Sequence, residues 1–302
     1  MMKVLAFALA LPLTACVVGN SDPLPAGGES SGGGGMNGTG GGGGNGTGSG
    51  MSGGATTITA DTTWMGNMNF TAPVTITGGA TVTVMAGTTV TFGASASLAV
   101  LGTLDVEGAT GAGNGVTFAP ASGAASFSGI SVGQGGNFTA KYLTLTGAEF
   151  ETMTGGTTTV NDSQFSHSPG DLLIMSGGSV TFMYSIVGSA TGTGYDQGDT
   201  THCDMHFDGV GNTIKISHSI VTTSAYGVMF YNGTGADFTY NNWLKNTTHI
   251  DPQAGVSGDF TGGYFDATPP MVAGLTYSSP MIASALAACT GANDATCAGP
   301  HP

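Results

Sequence analysis

Four segments of this chain repeat one pattern: an apolar residue, any residue, a polar or aromatic one, then Ser or Asn, with a further apolar residue within two positions. They are Val160–Phe165, Phe182–Val187, Ile216–Val221 and Phe238–Trp243. Their third positions, Asp162, Tyr184, His218 and Tyr240, fall at intervals of 22, 34 and 22 along the chain. A 22-residue period built of short strands and Gly/Asn/Ser turns is what one coil of a right-handed parallel β-helix requires. Each coil stacks on the previous one at about 4.8 Å and buries an apolar column. Shorter runs agree: Val74-Thr-Ile76, Val82-Thr-Val84, Val90-Thr-Phe92, Leu98-Ala-Val100, Leu104-Asp-Val106, Val116-Thr-Phe118 and Ile130-Ser-Val132 alternate apolar with small polar residues. No apolar run of helical period extends beyond one or two turns, so the folded part is predicted to be all-β.

That part runs from 55 to 302, with a C-terminal cap at about 251–302. At the repeat's period this length makes roughly 11 coils of a single-stranded helix, a rod of about 50 Å. The stretch 16–54 reads as a disordered tether. Glycine makes up more than half of the sequence from Gly27 to Gly54, and nothing there can form a packed core. As a Gly-rich coil the tether spans roughly 34 Å.

Residues 1–15 carry one lysine, Lys3, and an apolar run from Val4 to Leu13. This is the length of a signal-peptide core and too short to cross a bilayer. Leu13-Thr-Ala-Cys16 resembles the lipobox of bacterial lipoproteins. That resemblance implies cleavage before Cys16 and acylation of its thiol and new amine, palmitate included. Val17 stands where Asp would favour inner-membrane retention, which directs the expectation to the outer membrane or cell surface of a Gram-negative bacterium. In such an oxidising compartment Cys289 and Cys297 are expected to form a disulfide, leaving Cys203 as a small buried hydrophobe.

The chain also resembles exported right-handed β-helix proteins of the pectin-lyase-like kind over most of 55–302. Gly79–Phe92, Leu98–Leu104 and Gly115–Phe118 look like opening coils, and the four repeats like middle coils. Asp251-Pro252, Gly258-Asp-Phe260 and Ser279–Ser284 look like a closing segment. The fold implied serves lyases, hydrolases, adhesins and passive stalks alike.

Charge narrows the partners. The chain has four Lys or Arg against 18 acidic residues, a net charge of −14; without Lys3 the mature form reaches about −15, with no arginine. Such a surface repels nucleic acid and anionic headgroups, so membrane contact is expected through the lipid anchor alone. Polysaccharide or a surface protein remains as partner, and oligomeric state is not legible.

The longer interval, between Tyr184 and His218, marks where chemistry is expected, since departures from a rigid coil commonly carry function. It holds Tyr195–Asp199 and Thr201–Gly209. If 201–208 is extended, His202, Asp204, His206 and Asp208 face outward and Cys203, Met205 and Phe207 inward. Same-face neighbours on a strand lie about 6.5–7 Å apart. The outward set is therefore a candidate site for a divalent metal, Zn or Ca. His218 and the loop residues Asp196 and Asp199 are candidate additions.

No catalytic residue is assigned. Lyases of this fold use Lys or Arg bases, and of the lysines Lys215 alternates with Ile214 and Ile216 and so points outward. The Asp-Asp, Gly-His-Gly and Arg-x-Lys patterns of pectin hydrolases are missing. The expectation is a non-catalytic binding, adhesion or structural module for glycan, matrix or a partner protein. The alternative is a carbohydrate-active enzyme, a polysaccharide hydrolase or lyase, using 196–208. Outward threonine pairs (Thr75/Thr77, Thr81/Thr83, Thr89/Thr91, Thr144/Thr146) would form a flat hydroxyl surface if stacked in register. Among the late aromatics, Phe238 and Tyr240 are expected in the core, and Trp243 and Tyr231 are candidates for sugar stacking or core packing.

Overall fold

Three parallel sheets form the folded unit, and the chain visits them in rotation through nine coils before adding a last strand to one of them. The structure, a computed structural model, describes residues 54–188, 202–208, 213–291 and 296–302. The expected signal peptide and tether, with Cys16, and the loop residues Asp196 and Asp199 lie outside the described residues. Sheet I has nine strands, from Thr56–Ile58 to Thr248–Pro252. Sheet II has ten, from Thr62–Trp64 to Leu275–Thr276, and sheet III nine, from Asn67–Phe70 to Tyr264–Phe265. This is a single-stranded parallel β-helix.

The strands form because their sequences alternate. Thr81–Met85, for example, buries Val82 and Val84 and turns Thr81 and Thr83 outward. Inside, rings stack from coil to coil. Phe138, Phe150, Phe165 and Phe182 make successive edge-on contacts at 4.9, 5.3 and 5.0 Å, a geometry that adds to their burial.

The corners explain the repeat. Its third positions are all left-handed: Asp162 has φ 49°, Tyr184 52°, His218 53° and Tyr240 57°, and Tyr142 joins them one coil earlier at 50°. One such residue turns the chain from sheet II into sheet III. The Ser/Asn that follows points inward and supplies the hydrogen bonds the corner backbone would otherwise lack. Leu143 N donates to Ser163 Oγ at 3.0 Å, Ser163 N to Ser185 Oγ at 3.2 Å, Ser185 N to Ser219 Oγ at 3.1 Å, and Ser219 N to Asn241 Oδ1 at 2.8 Å. Each serine hydroxyl then donates to the carbonyl two residues back.

Four expectations change. Nine complete coils and a tenth sheet II strand are present among the described residues, where the period suggested about eleven. Two coils are long, with register partners 34 apart in sequence, and the described residues from Tyr277 onward build no further coil. The second long step, from Thr103 to its partner Asn137, lacks the Ser/Asn motif and so is invisible to the repeat. The threonine pairs do not stack as one array. Thr75 lies on sheet I, Thr81/Thr83 on sheet II, and Thr89/Thr91 and Thr144/Thr146 on sheet III. Register instead continues Thr81/Thr83 along sheet II through Thr103/Asp105, Asn137/Thr139, Thr157/Thr159 and Ser179/Thr181. Finally, Tyr240 is a corner residue, 37% exposed, whereas Phe238 is fully buried.

Candidate binding surface on sheet I

Cys203–Phe207 is a regular rung of sheet I, paired with Leu173–Met175 on one side and Tyr226–Phe230 on the other. It belongs to the wall rather than to the excursion, and the extra length of this coil falls between Gly188 and Cys203. Met205 and Phe207 are buried as alternation predicts, and so is Cys203. His206 faces outward in a rank that runs Glu151, Ile174, His206, Met229, Asp251 across five coils. Asp208, at the strand's end, is exposed.

Asp204 contradicts the outward row. It is fully buried at the corner between sheets III and I. An added Cβ at Gly188 would lie 2.9 Å from Asp204 Oδ1 and 1.9 Å from the Thr222 carbonyl, so the space for this carboxyl exists because residue 188 has no side chain. Among the described residues neither carboxyl oxygen has a hydrogen-bond partner. Burial raises its pKa well above the ordinary carboxylate value, with the nearby Ser224 side chain and Thr222 backbone acting the other way.

The outward group is organised by a residue the sequence reading passed over, Asp171. His206 Nδ1 donates to its Oδ2 at 2.7 Å and the Cys203 N–H to its Oδ1 at 3.0 Å, while His202 Nδ1 lies 3.8 Å from Oδ1. Burial alone would push the Asp171 carboxyl up; the His206 and Cys203 hydrogen bonds prevail and hold it below its ordinary 3.8. His206 moves the other way, above its ordinary 6.5, chiefly through the hydrogen bond to Asp171 and against the effect of burial.

The signs define the pair's stabilising range. The depressed carboxylate contributes above 3.8 and loses its contribution as pH falls through its folded value. The raised imidazole contributes below 6.5 and loses its contribution as pH rises through its folded value. The pair is therefore fully effective between those two values.

Glu149 lies near this pair. Its carboxyl is raised by burial first and by the Asp171 charge second. On the other side the Tyr231 ring meets His206 edge-on at 5.6 Å and its hydroxyl donates to Asp251 Oδ2 at 3.0 Å. Ser176 Oγ donates to Glu151 Oε1 at 2.6 Å. The sequence did carry one signal for the missed residues: Glu149 and Asp171 stand one period of the helix apart.

These groups do not form the expected metal set. Among the described residues, ligand atoms of three or more such side chains gather within 4.8 Å only at Cys289, Cys297 and His301. There the two cysteines are joined in a disulfide, which leaves no thiolate to bind an ion. Asp204 is withdrawn into the corner. His218 stands at the sheet II–III corner, where its Nδ1 donates to the Cys297 carbonyl at 3.1 Å. Trp243 is fully buried against Phe265 at 5.7 Å and offers no face to a sugar. Lys215 points outward and pairs with Asp237 at 3.2 Å.

The fold and this surface define a parallel β-helix with a polar, ring-bearing patch on one flat wall. No protein family, curated protein or solved structure matches the chain.

Proposed function

We propose that this is a lipid-anchored outer-membrane or cell-surface protein whose β-helix is a non-catalytic module binding a neutral glycan on the outer face of sheet I. The observation that carries this reading is the connected set Asp171, His206, Tyr231 and Asp251, held on successive rigid rungs. It offers carboxylate acceptors, an imidazole and a phenol on a flat wall, groups suited to sugar hydroxyls and ring faces. A net charge of −14 disfavours an anionic polymer. On this reading a glycan array gives binding to neutral oligosaccharides that Asp171→Asn and Tyr231→Phe each weaken at least about tenfold, or about 1.4 kcal/mol. Binding unchanged in both variants would exclude the patch.

A second reading, a polysaccharide hydrolase, is favoured by one observation: Glu149 is raised while neighbouring Asp171 is depressed, the division expected of an acid and a base. New reducing ends from the same glycans, lost in Glu149→Gln, would favour it over simple binding. The anchor rests on the lipobox-like Leu13–Cys16. Cys16→Ala is expected to move the protein from the membrane fraction to the soluble one, because no lipid could then attach. Retention in membranes would refute the anchor.

A further inference from the structure

The corner between sheets II and III is lined by residues that the backbone disfavours. Tyr142, Tyr184, His218 and Tyr240 all adopt φ of 50–57°. Bulky residues are uncommon in this region, where Gly, Asn or Asp sits with less strain. The first two coils and the last use glycine in left-handed turns at this corner, at Gly66, Gly87 and Gly262. In the middle coils the rings form a column instead: Tyr184 stacks on His218 at 4.9 Å, and His218 on Tyr240 at 4.9 Å.

The chain's own C-terminal segment lies along this column. Leu286 N donates to Asn242 Oδ1 at 2.8 Å, and Asn242 Nδ2 donates to the Leu286 carbonyl at 2.9 Å. Gly299 N donates to the His218 carbonyl at 2.8 Å, and His218 Nδ1 to the Cys297 carbonyl at 3.1 Å. At the far end both the backbone N–H and Nδ1 of His301 donate to Asp162 Oδ1, at 3.0 and 2.6 Å. The imidazole also lies 4.4 Å from the Tyr184 ring. The segment adds no strand to a sheet beyond a single bridge at Ile282; besides its polar contacts and a tilted Tyr184–His301 ring contact, it buries Cys289, Cys297 and Ala298. Without a ladder of strand hydrogen bonds, such an element opens more readily than the coils it lies on.

We propose that the sheet II–III corner is a peptide-binding strip, that the C-terminal strap is its resident ligand, and that the strap of a second copy competes for it. The strap shows what the strip recognises: a backbone folded back on itself, by the Ala298 N–H donating to the Ala287 carbonyl and by the Cys289–Cys297 disulfide, that offers donors and acceptors to Asn242 and His218 and ends in an imidazole docked on Asp162 and Tyr184. A second copy carries the same chemistry. In cis the strap has the advantage of effective concentration, so exchange is suppressed until that hold weakens.

The test uses a fluorescent synthetic peptide of residues 286–302, oxidised to close its Cys289–Cys297 bridge, with the full mature chain as receptor. His301→Ala in the receptor loosens the resident strap and is expected to tighten peptide binding at least about tenfold over wild type. Adding Asp162→Gly, which tolerates the positive φ and removes the Oδ1 acceptor, is expected to reverse that gain. Far-UV circular dichroism checks that both receptors keep the fold. Equal peptide binding by wild type and His301→Ala, or tight binding indifferent to Asp162→Gly, overturns the proposal.

Discussion

Phe238→Ala should destabilise the domain by about 3–5 kcal/mol, the range for removing a buried ring from a core that cannot collapse around the cavity. The side chain is fully buried and is the hub of the C-terminal coils. Its ring lies 4.7 Å from Phe260, 5.5 Å from Phe230, 6.1 Å from Trp243 and 6.4 Å from Phe207. The adjoining sheet II strands, Ala236–Asp237 and Gly258–Asp259, are two residues each, so few ladder bonds remain to hold this part of the wall. Phe238→Leu should cost much less, because it leaves a smaller void. Thr181→Ala, on the outward side of sheet II, should stay within about 0.5 kcal/mol. Urea unfolding of the three variants measures this directly, and Phe238→Ala no worse than Thr181→Ala would contradict the packing account.

Asp204→Asn should make the domain more stable at pH 7, on the order of 1–3 kcal/mol, since it keeps a neutral side chain of the same shape while removing the cost of protonating this carboxyl or burying its charge. The sign follows from proton binding. The folded-state pKa of Asp204 lies well above its ordinary 3.8. Between those two values the native state keeps a proton that the unfolded state releases. This group's contribution is thus fully present below 3.8 and declines as pH rises through the folded value. Asn carries no such proton and flattens that decline. Unfolding followed from pH 3 to pH 9 should show the two proteins converging in acid and diverging towards neutrality. Parallel curves would mean that Asp204 is solvated or paired in solution.

Much of the fold was legible because a β-helix writes its period into the chain. Each coil must present an apolar residue inward, reverse at a corner and satisfy that corner's backbone, which is why Ser163, Ser185, Ser219 and Asn241 recur in step. The candidate site was less legible. Strict alternation placed Asp204 outward beside His206, but alternation does not say what covers an outward position, and Asp204, near the start of its strand, is buried at the corner beside Gly188 and Thr222. Asp171 precedes its strand and shows no alternation at all, so its role emerges only when the Cys203 and His206 donors are seen to converge on it.

The sequence by itself determined the all-β class, the coil period, the inward faces of the strands and the recurrence of the corner serines. These depend on local spacing and on which side chains water rejects. Tertiary structure alone decided register, and with it which threonines share a wall, which carboxylates meet which histidines, and where the C-terminal strap lies. Those contacts join residues tens to more than a hundred positions apart. Closing such separations is a matter of stacking whole coils, which no local pattern encodes.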